Sequence, residues 1–301
     1  MPLSDVYPRI RESIVAFTPL YHRESHPGEE KPEFPPIIGT GFIVDQRGWI
    51  ATNDHIIKAL TRAYRPEGIE TPEWCVLALM FYPTDRGILQ LPLDVIGVAI
   101  IQDFVPQGVY YDREKPDIGF VQVNATGLPE LDFDADPHII EGQQLATAGF
   151  PMGTDALTAP GWLDQIGPTL QSGIVSSVLP FQCDQPHGFT LNVMTQGGAS
   201  GSPVFCPDTG VVKGILYAGL YDVEVASTSP ESDVEVSLPY RLPTNISYVV
   251  PSNFLSLAFE KLGGTYSLDP EPDAPTPEQM VAAGDVKLPD GTPVDLTTND
   301  G

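Results

Sequence analysis

Gly197-Gly198-Ala199-Ser200-Gly201-Ser202-Pro203-Val204-Phe205 sets one serine inside a turn of small residues that runs into an apolar strand. Acyl transfer by serine needs more than a hydroxyl. An imidazole must take its proton, a carboxylate must hold that imidazole's tautomer, and paired backbone N–H groups must meet the developing oxyanion. Glycines ahead of the serine permit the backbone conformations that aim two N–H groups at one point. That makes the amides of Gly198 and Ser200 the candidate oxyanion hole. A Gly/Ser loop is also an ordinary connector in β proteins, so the reading depends on finding the partners. Trp49-Ile50-Ala51-Thr52-Asn53-Asp54-His55-Ile56-Ile57 places His55 just after a strand, at the start of a short turn or helix. The other four of the five histidines sit in less favourable places: His22 and His26 in a polar loop, His138 in a connector, His187 beside turn residues. Lys115-Pro116-Asp117-Ile118-Gly119-Phe120-Val121 puts a carboxylate at the head of an apolar strand. An aspartate there is ordinarily a turn former, and Asp103 and Asp112 compete, each followed by a less strand-like run. His55, Asp117 and Ser200 are the candidate triad. The rival, the G-x-S-x-G elbow of α/β-hydrolases, fails because Ser202 replaces its last glycine, no βαβ alternation surrounds it, and no histidine follows His187.

The elements that must position these groups read as short β-rich runs broken by turn residues. Ile14-Val15-Ala16-Phe17 is an opening strand, followed by a charged polar loop over 22–33. Gly41-Phe42-Ile43-Val44 stops at Asp45-Gln46-Arg47-Gly48 and Trp49-Ile50-Ala51-Thr52 follows at once, a hairpin signal. Further runs cover 74–82, 88–101 and 118–123, then 144–148, 170–178, 189–194, 203–206, 211–217 and 246–250. Between the two sets, 124–137 is acidic, with Gly and Pro, and reads as a connector. Only 252–262 has a helical pattern: Ser252 or Asn253 can cap it, Phe254, Leu255, Leu257, Ala258 and Leu262 form its stripe, and Gly263-Gly264 ends it. Many short strands and few helices indicate barrels or a sandwich. From 267 onward proline and acid dominate and large apolar residues are scarce, so burial cannot offset ordering entropy and a mostly disordered tail is expected. No internal repeat is visible.

At 301 residues with 42% hydrophobic residues the chain can bury a sizeable core. Fifteen basic against 40 acidic residues give a net charge of −25, which repels phosphate backbones and anionic bilayers, so neither nucleic acid nor a membrane is an expected partner. Cys75, Cys183 and Cys206 are an odd, sparse set. They make a poor disulfide framework and suggest free thiols in a reducing compartment. No C-x-x-C pair marks a zinc site, and no metal or other cofactor is expected. The opening MPLSDVYPRIRESIVAF lacks the basic-then-apolar pattern of a signal peptide, and no run reaches membrane-spanning length. The cytoplasm is the expected compartment.

The residues resemble trypsin-like serine proteases, especially the bacterial high-temperature-requirement (HtrA-like) branch, over most of 13–263. Gly39-Thr40-Gly41-Phe42-Ile43-Val44 followed by Thr52-Asn53-Asp54-His55 resembles the His motif of that family. Pro116-Asp117-Ile118-Gly119-Phe120 is similar to its Asp motif, with Gly119 where alanine is usual, and Gly198-Ala199-Ser200-Gly201-Ser202-Pro203 resembles its Ser motif. Ala148-Gly149-Phe150-Pro151-Met152-Gly153, Gln171-Ser172-Gly173-Ile174-Val175-Ser176 and Ser247-Tyr248-Val249-Val250-Pro251-Ser252 add smaller matches in the right order. The resemblance implies an all-β fold of two six-stranded antiparallel barrels with a C-terminal helix and the triad between the barrels. It divides the chain into an arm and first barrel over 1–127, a second barrel and helix over 128–265, and the acidic tail over 266–301. It also makes Tyr217-Ala218-Gly219 the edge that pairs with extended substrate, and Met194, Thr195 and Gln196 the lining of the primary pocket. With no carboxylate in that stretch, apolar or small side chains are the expected preference. Ala199 stands where digestive relatives carry an aspartate that pairs with a new N-terminus, so activation by that ion pair is not expected. The tail does not resemble a PDZ domain.

Three functions remain to be separated: an active serine endopeptidase acting on polypeptides, a silent protease fold that docks a protein, and a regulated intracellular processing protease that awaits a protein partner. The acidic tail and the insert over 222–242 motivate the last.

Overall fold

Along Ile14–Pro19 (β1) alternate side chains enter two different cores: Val15 and Phe17 one, Ile14 and Ala16 another. The same period of two repeats in Gly39–Asp45 (β2), where Ile43 faces inward while Phe42 and Val44 face out, and in Trp49–Thr52 (β3), with Ile50 in and Trp49 and Ala51 out. A strand buried on both faces in this way must close on its neighbours and also be covered from outside. The computed structural model describes residues 1–21, 36–68, 70, 72–84, 87–100, 115–151, 167–180, 186–227 and 237–283. With Val76–Thr84 (β4), Gly87–Ile100 (β5) and Gly119–Val123 (β6), the first set closes into a barrel in the order β1-β2-β3-β6-β5-β4. Gln144–Gly149 (β7), Thr169–Leu179 (β8), Gly188–Leu191 (β9), Pro203–Phe205 (β10), Val212–Ser227 (β11) and Ser237–Pro251 (β12) close a second, in the order β10-β11-β12-β9-β8-β7. Every strand pairing is antiparallel, so the expected double barrel is the fold observed.

One apolar cluster fills each barrel, and a third lies between them. The third joins outward residues of barrel one (Phe42, Phe81, Phe120) to those of barrel two (Phe150, Phe205, Ile215). Phe42, Phe120, Phe150 and Phe205 are essentially without exposure, and burying each such side chain contributes about 1.5–3 kcal/mol. The seam between the barrels is therefore as dry as their interiors. The connector crosses it quickly. Leu131 N–H still donates to Ile43 O at 2.9 Å on the first barrel, while Asp134 N–H donates to Val212 O at 2.9 Å on the second.

Four helices accompany the strands among the described residues, where the sequence pattern showed one clearly. Leu3–Glu12 (α1) precedes β1, and Asp54–Leu60 (α2) follows β3. Ser252–Thr265 (α3) departs from expectation at both ends: it has no side-chain cap, since the Ser252 hydroxyl donates to Asp134 O at 2.7 Å, and it runs through Gly263 and Gly264 before stopping. Packing holds it through the glycines, for Phe259 lies 5.6 Å from the Phe120 ring and 6.2 Å from Phe133. Pro277–Ala283 (α4) lies in the stretch expected to be disordered. Thr276 and Gln279 cap it reciprocally, Thr276 N–H donating to Gln279 Oε1 at 2.9 Å and Gln279 N–H to Thr276 Oγ1 at 3.3 Å. Met280 enters the first barrel's core at 9% exposure. The expectation of disorder thus does not hold for 267–283, because a capping box and the apolar side chains of Leu268, Met280 and Val281 tie the strap down. The remainder, 284–301, lies outside the described residues.

Candidate active site

His55 is carried by the first turn of α2, immediately after β3 delivers the chain to the seam between the barrels. Asp117 stands two residues ahead of β6, the strand that pairs with β3 in the register Thr52↔Gly119. Strand pairing therefore brings residues 62 apart in sequence to one place. Asp117 Oδ2 is 2.5 Å from His55 Nδ1 and Asp117 Oδ1 accepts the His55 backbone N–H at 3.0 Å. Two contacts from one carboxylate fix the ring's position and assign the proton to Nδ1, leaving Nε2 as the basic nitrogen. Asn53 Nδ2 in turn donates to Asp117 O at 2.8 Å. The unusual Gly119 has a physical reason. A Cβ there would lie 2.6 Å from Ile57 Cγ1, so alanine would require the Ile57 side chain on α2 to shift. The competitors Asp103 and Asp112 lie outside the described residues, as do His22, His26 and Cys183.

Ser200 lies in two successive tight turns. Ala199 N–H donates to Gln196 O at 3.1 Å with Gly198 at φ +94°, and Ser202 N–H donates to Ala199 O at 3.1 Å with Gly201 at φ +90°. A positive φ at the third residue of an i→i+3 turn is the mark of type II, and it is the reason glycine stands at both positions. Gly201 has a second reason: a Cβ would lie 1.9 Å from Thr40 O and 2.5 Å from Thr52 Oγ1, three residues ahead of His55. That close approach presses the Ser200 loop against β2 and β3, the strands that lead to His55.

Three successive carbonyls of the loop are engaged. Gly198 O accepts from Thr40 Oγ1 at 2.6 Å, Ala199 O from Ser202 Oγ at 2.6 Å, and Ser200 O from Thr40 N–H at 2.9 Å. Neither the Gly198 nor the Ser200 N–H meets a protein acceptor among the described residues. The Ser200 hydroxyl donates to Tyr217 O at 3.2 Å rather than to His55. Tyr217 falls at a register shift between β11 and β12.

The remaining expected residues gather nearby. Gly219 pairs with Ser247, and a Cβ on Gly219 would stand 2.8 Å from Thr195 Oγ1. Thr195, buried at 4% exposure, holds its hydroxyl 2.7 Å from Ser247 Oγ, which donates to Val193 O at 2.7 Å. Met194 is exposed, its carbonyl held by Gln171 Nε2 at 3.0 Å and its sulfur 3.7 Å from Gln196 Nε2. Ala218 pairs with Tyr248 beside it. Thr40, Ser202 and Ser247 were not singled out for the site from the sequence. A hydroxyl residue between two glycines, as in Gly39-Thr40-Gly41, was the available signal for the first. Among the described residues no three His, Cys, Asp or Glu side chains gather as a metal site, no helix is long and apolar enough to cross a membrane, and Cys75 and Cys206 are free thiols.

Two antiparallel barrels with a histidine–aspartate pair on one and a serine turn on the other define a chymotrypsin-like fold. Residues 39–215 match the trypsin-like peptidase domain family, and the chain belongs to that family. A probable periplasmic serine endoprotease, DegP-like, from Halomonas elongata is 25% identical over 276 residues, covering 87% of this chain and 49% of that protein. The chain thus spans about half the length of that relative, whose name places it in the periplasm; the cytoplasmic expectation for this chain rests on its own residues alone. A solved HtrA-type protease, a substituted AlgW with a tripeptide, aligns with 89% of this chain and 64% of its own at 14% identity and a TM-score of 0.49.

Proposed function

We propose that the chain is a serine endopeptidase acting through an acyl-enzyme. Ser200 Oγ attacks the scissile carbonyl carbon as its proton passes to His55 Nε2, and the carbonyl electrons move onto oxygen. The C–N bond then breaks, His55 returns the proton to the leaving amine, and water repeats the sequence to release the acid. Asp117 orients the imidazole and stabilises its charged form. The amides of Gly198 and Ser200 take the oxyanion. The observation that carries this reading is the two-point hold of Asp117 on His55, which leaves Nε2 as base.

The pocket beside Ser200 supports a preference for small or apolar side chains. The Thr195 proton serves Ser247 and the Ser247 proton serves Val193 O, so this wall has neither a free donor nor a carboxylate for a charged side chain. Tyr217, Ala218 and Gly219 offer backbone to an extended polypeptide. A fluorophosphonate probe tests the chemistry: labelling at Ser200 is expected, and it disappears in Ser200→Ala and in His55→Ala. Folded wild-type protein that resists the probe sinks the reading. A peptide-library profile dominated by Lys or Arg at the cleaved position sinks the pocket assignment alone.

A further inference from the structure

Oxyanion donors act only as well as the backbone aims them, and the loop that carries them here has no charged anchor of its own, since Ala199 is apolar and buried at 3% exposure. We infer that Thr40, from the opposite barrel, is the positioning residue of the oxyanion hole. The inference rests on the protease reading and adds to it a residue that touches no substrate.

Thr40 lies in β2, pairs with Ala16 of β1 and is fully buried. Its single hydroxyl proton goes to Gly198 O at 2.6 Å, and its oxygen accepts the Phe150 N–H at 3.2 Å. Its backbone N–H goes to Ser200 O at 2.9 Å. The two residues whose amides face the oxyanion are therefore each held through their own carbonyl by the same threonine. Thr40 O is occupied as well, accepting from Thr52 Oγ1 at 2.7 Å, which ties it to the strand that leads to His55. One residue thereby sets the donors against the barrel that carries the base. Only a hydroxyl suits the place. Valine has the same shape but neither donates to Gly198 O nor accepts from Phe150 N–H, and it leaves Gly198 anchored by nothing but its own turn.

The variants Thr40→Ser, Thr40→Cys and Thr40→Val form a graded series of strong, weak and absent donors, with valine matching threonine in shape and the other two lacking its methyl group. Each is assayed on one peptide amide for kcat and KM and with a peptide aldehyde, whose adduct carries the oxyanion. We expect kcat to fall on the order of 10- to 100-fold in Thr40→Val, with aldehyde affinity falling by the same factor and KM within about twofold. Thr40→Ser stays near wild type and Thr40→Cys lies between. Melting temperature read alongside separates positioning from mere support: a Thr40→Val protein that melts lower yet keeps wild-type kcat where it is folded overturns the inference. If Thr40→Val does not fold, the Ser and Cys variants decide, and equal kcat and aldehyde affinity in both overturns it. Wild type that neither cleaves peptide nor reacts with a fluorophosphonate removes the protease reading itself, and the role of Thr40 with it.

Discussion

His55, the proposed base, and Ser200, the proposed nucleophile, are held in opposite ways. His55 and Asp117 meet side chain to side chain within one barrel, near solvent, with 45% and 25% of their side chains exposed. The Ser200 loop is held through backbone carbonyls, two of them by a fully buried residue of the other barrel. A local, half-exposed contact can be altered chemically with little effect on folding. A loop pressed into a dry seam cannot, since whatever loosens the seam also loosens the loop.

Substitutions at the two places should separate these modes. The largest effect is expected from Ser200→Ala, which lowers turnover by roughly 10⁶-fold while leaving the melting temperature within a degree or two, because Oγ has a single contact at 3.2 Å. Asp117→Asn comes next, with kcat down about 10⁴-fold through loss of the correct tautomer and little change in stability; a large loss of melting temperature would show that the pair is structural. Gly201→Ala should instead fail in both readouts. A positive φ and a Cβ 1.9 Å from Thr40 O cost about 2–4 kcal/mol of stability and displace the serine. Gly142→Ala, at φ +83° in open space, is the control and costs only about 1 kcal/mol. Equal losses at the two glycines would mean that the seam is not tight.

The smallest effect is on acid stability. Burial alone would raise the Asp134 carboxyl, yet the Lys213 ammonium at 2.5 Å and the Asp136 N–H outweigh it and hold the group below the usual carboxylate range. A folded-state pKa below the unfolded one adds stability above the unfolded value of about 3.9, and the addition is lost as pH falls through the folded pKa. Melting temperature should therefore decline below about pH 4, and less steeply in Asp134→Asn, which is also less stable near neutrality. An unchanged acid limb in that variant would exclude the connector as a contributor.

Most of the fold was legible because both of its signals are local: alternation along Ile14-Val15-Ala16-Phe17 and turn residues at Asp45-Gln46-Arg47-Gly48 are written in adjacent residues. The extension of β11 and β12 to Ser227 and Ser237 was missed because it passes through acidic residues that read as an insert. α4 was missed because composition over 267–301 hid a four-residue capping signal, Thr276-Pro277-Glu278-Gln279, and a short apolar anchor, Met280-Val281. For the site, the motifs named His55, Asp117 and Ser200, and strand pairing brings the first two into contact. The same motifs contain Thr40, Ser202 and Ser247 but assign them no role, since a hydroxyl buried for a backbone carbonyl looks like any other threonine or serine until the fold is known. The helix stop at Gly263-Gly264 failed for the converse reason: Phe259 and its aromatic neighbours outweigh a local preference.

The outer helices reach across the seam, α1 while also packing beside β4 of its own barrel. α1, ahead of the first barrel, sets Val6 and Ile10 against Gly210 of the second and sends Arg9 Nη2 to Thr209 O at 3.0 Å. α4, beyond the second barrel, plugs Met280 into the first. Each half of the molecule thus wears a piece of the other's chain, as two hands clasp by interlocked fingers. A cut in the connector should leave the clasp shut and the halves together in solution, whereas either barrel produced alone would lack the helix that the other half supplies.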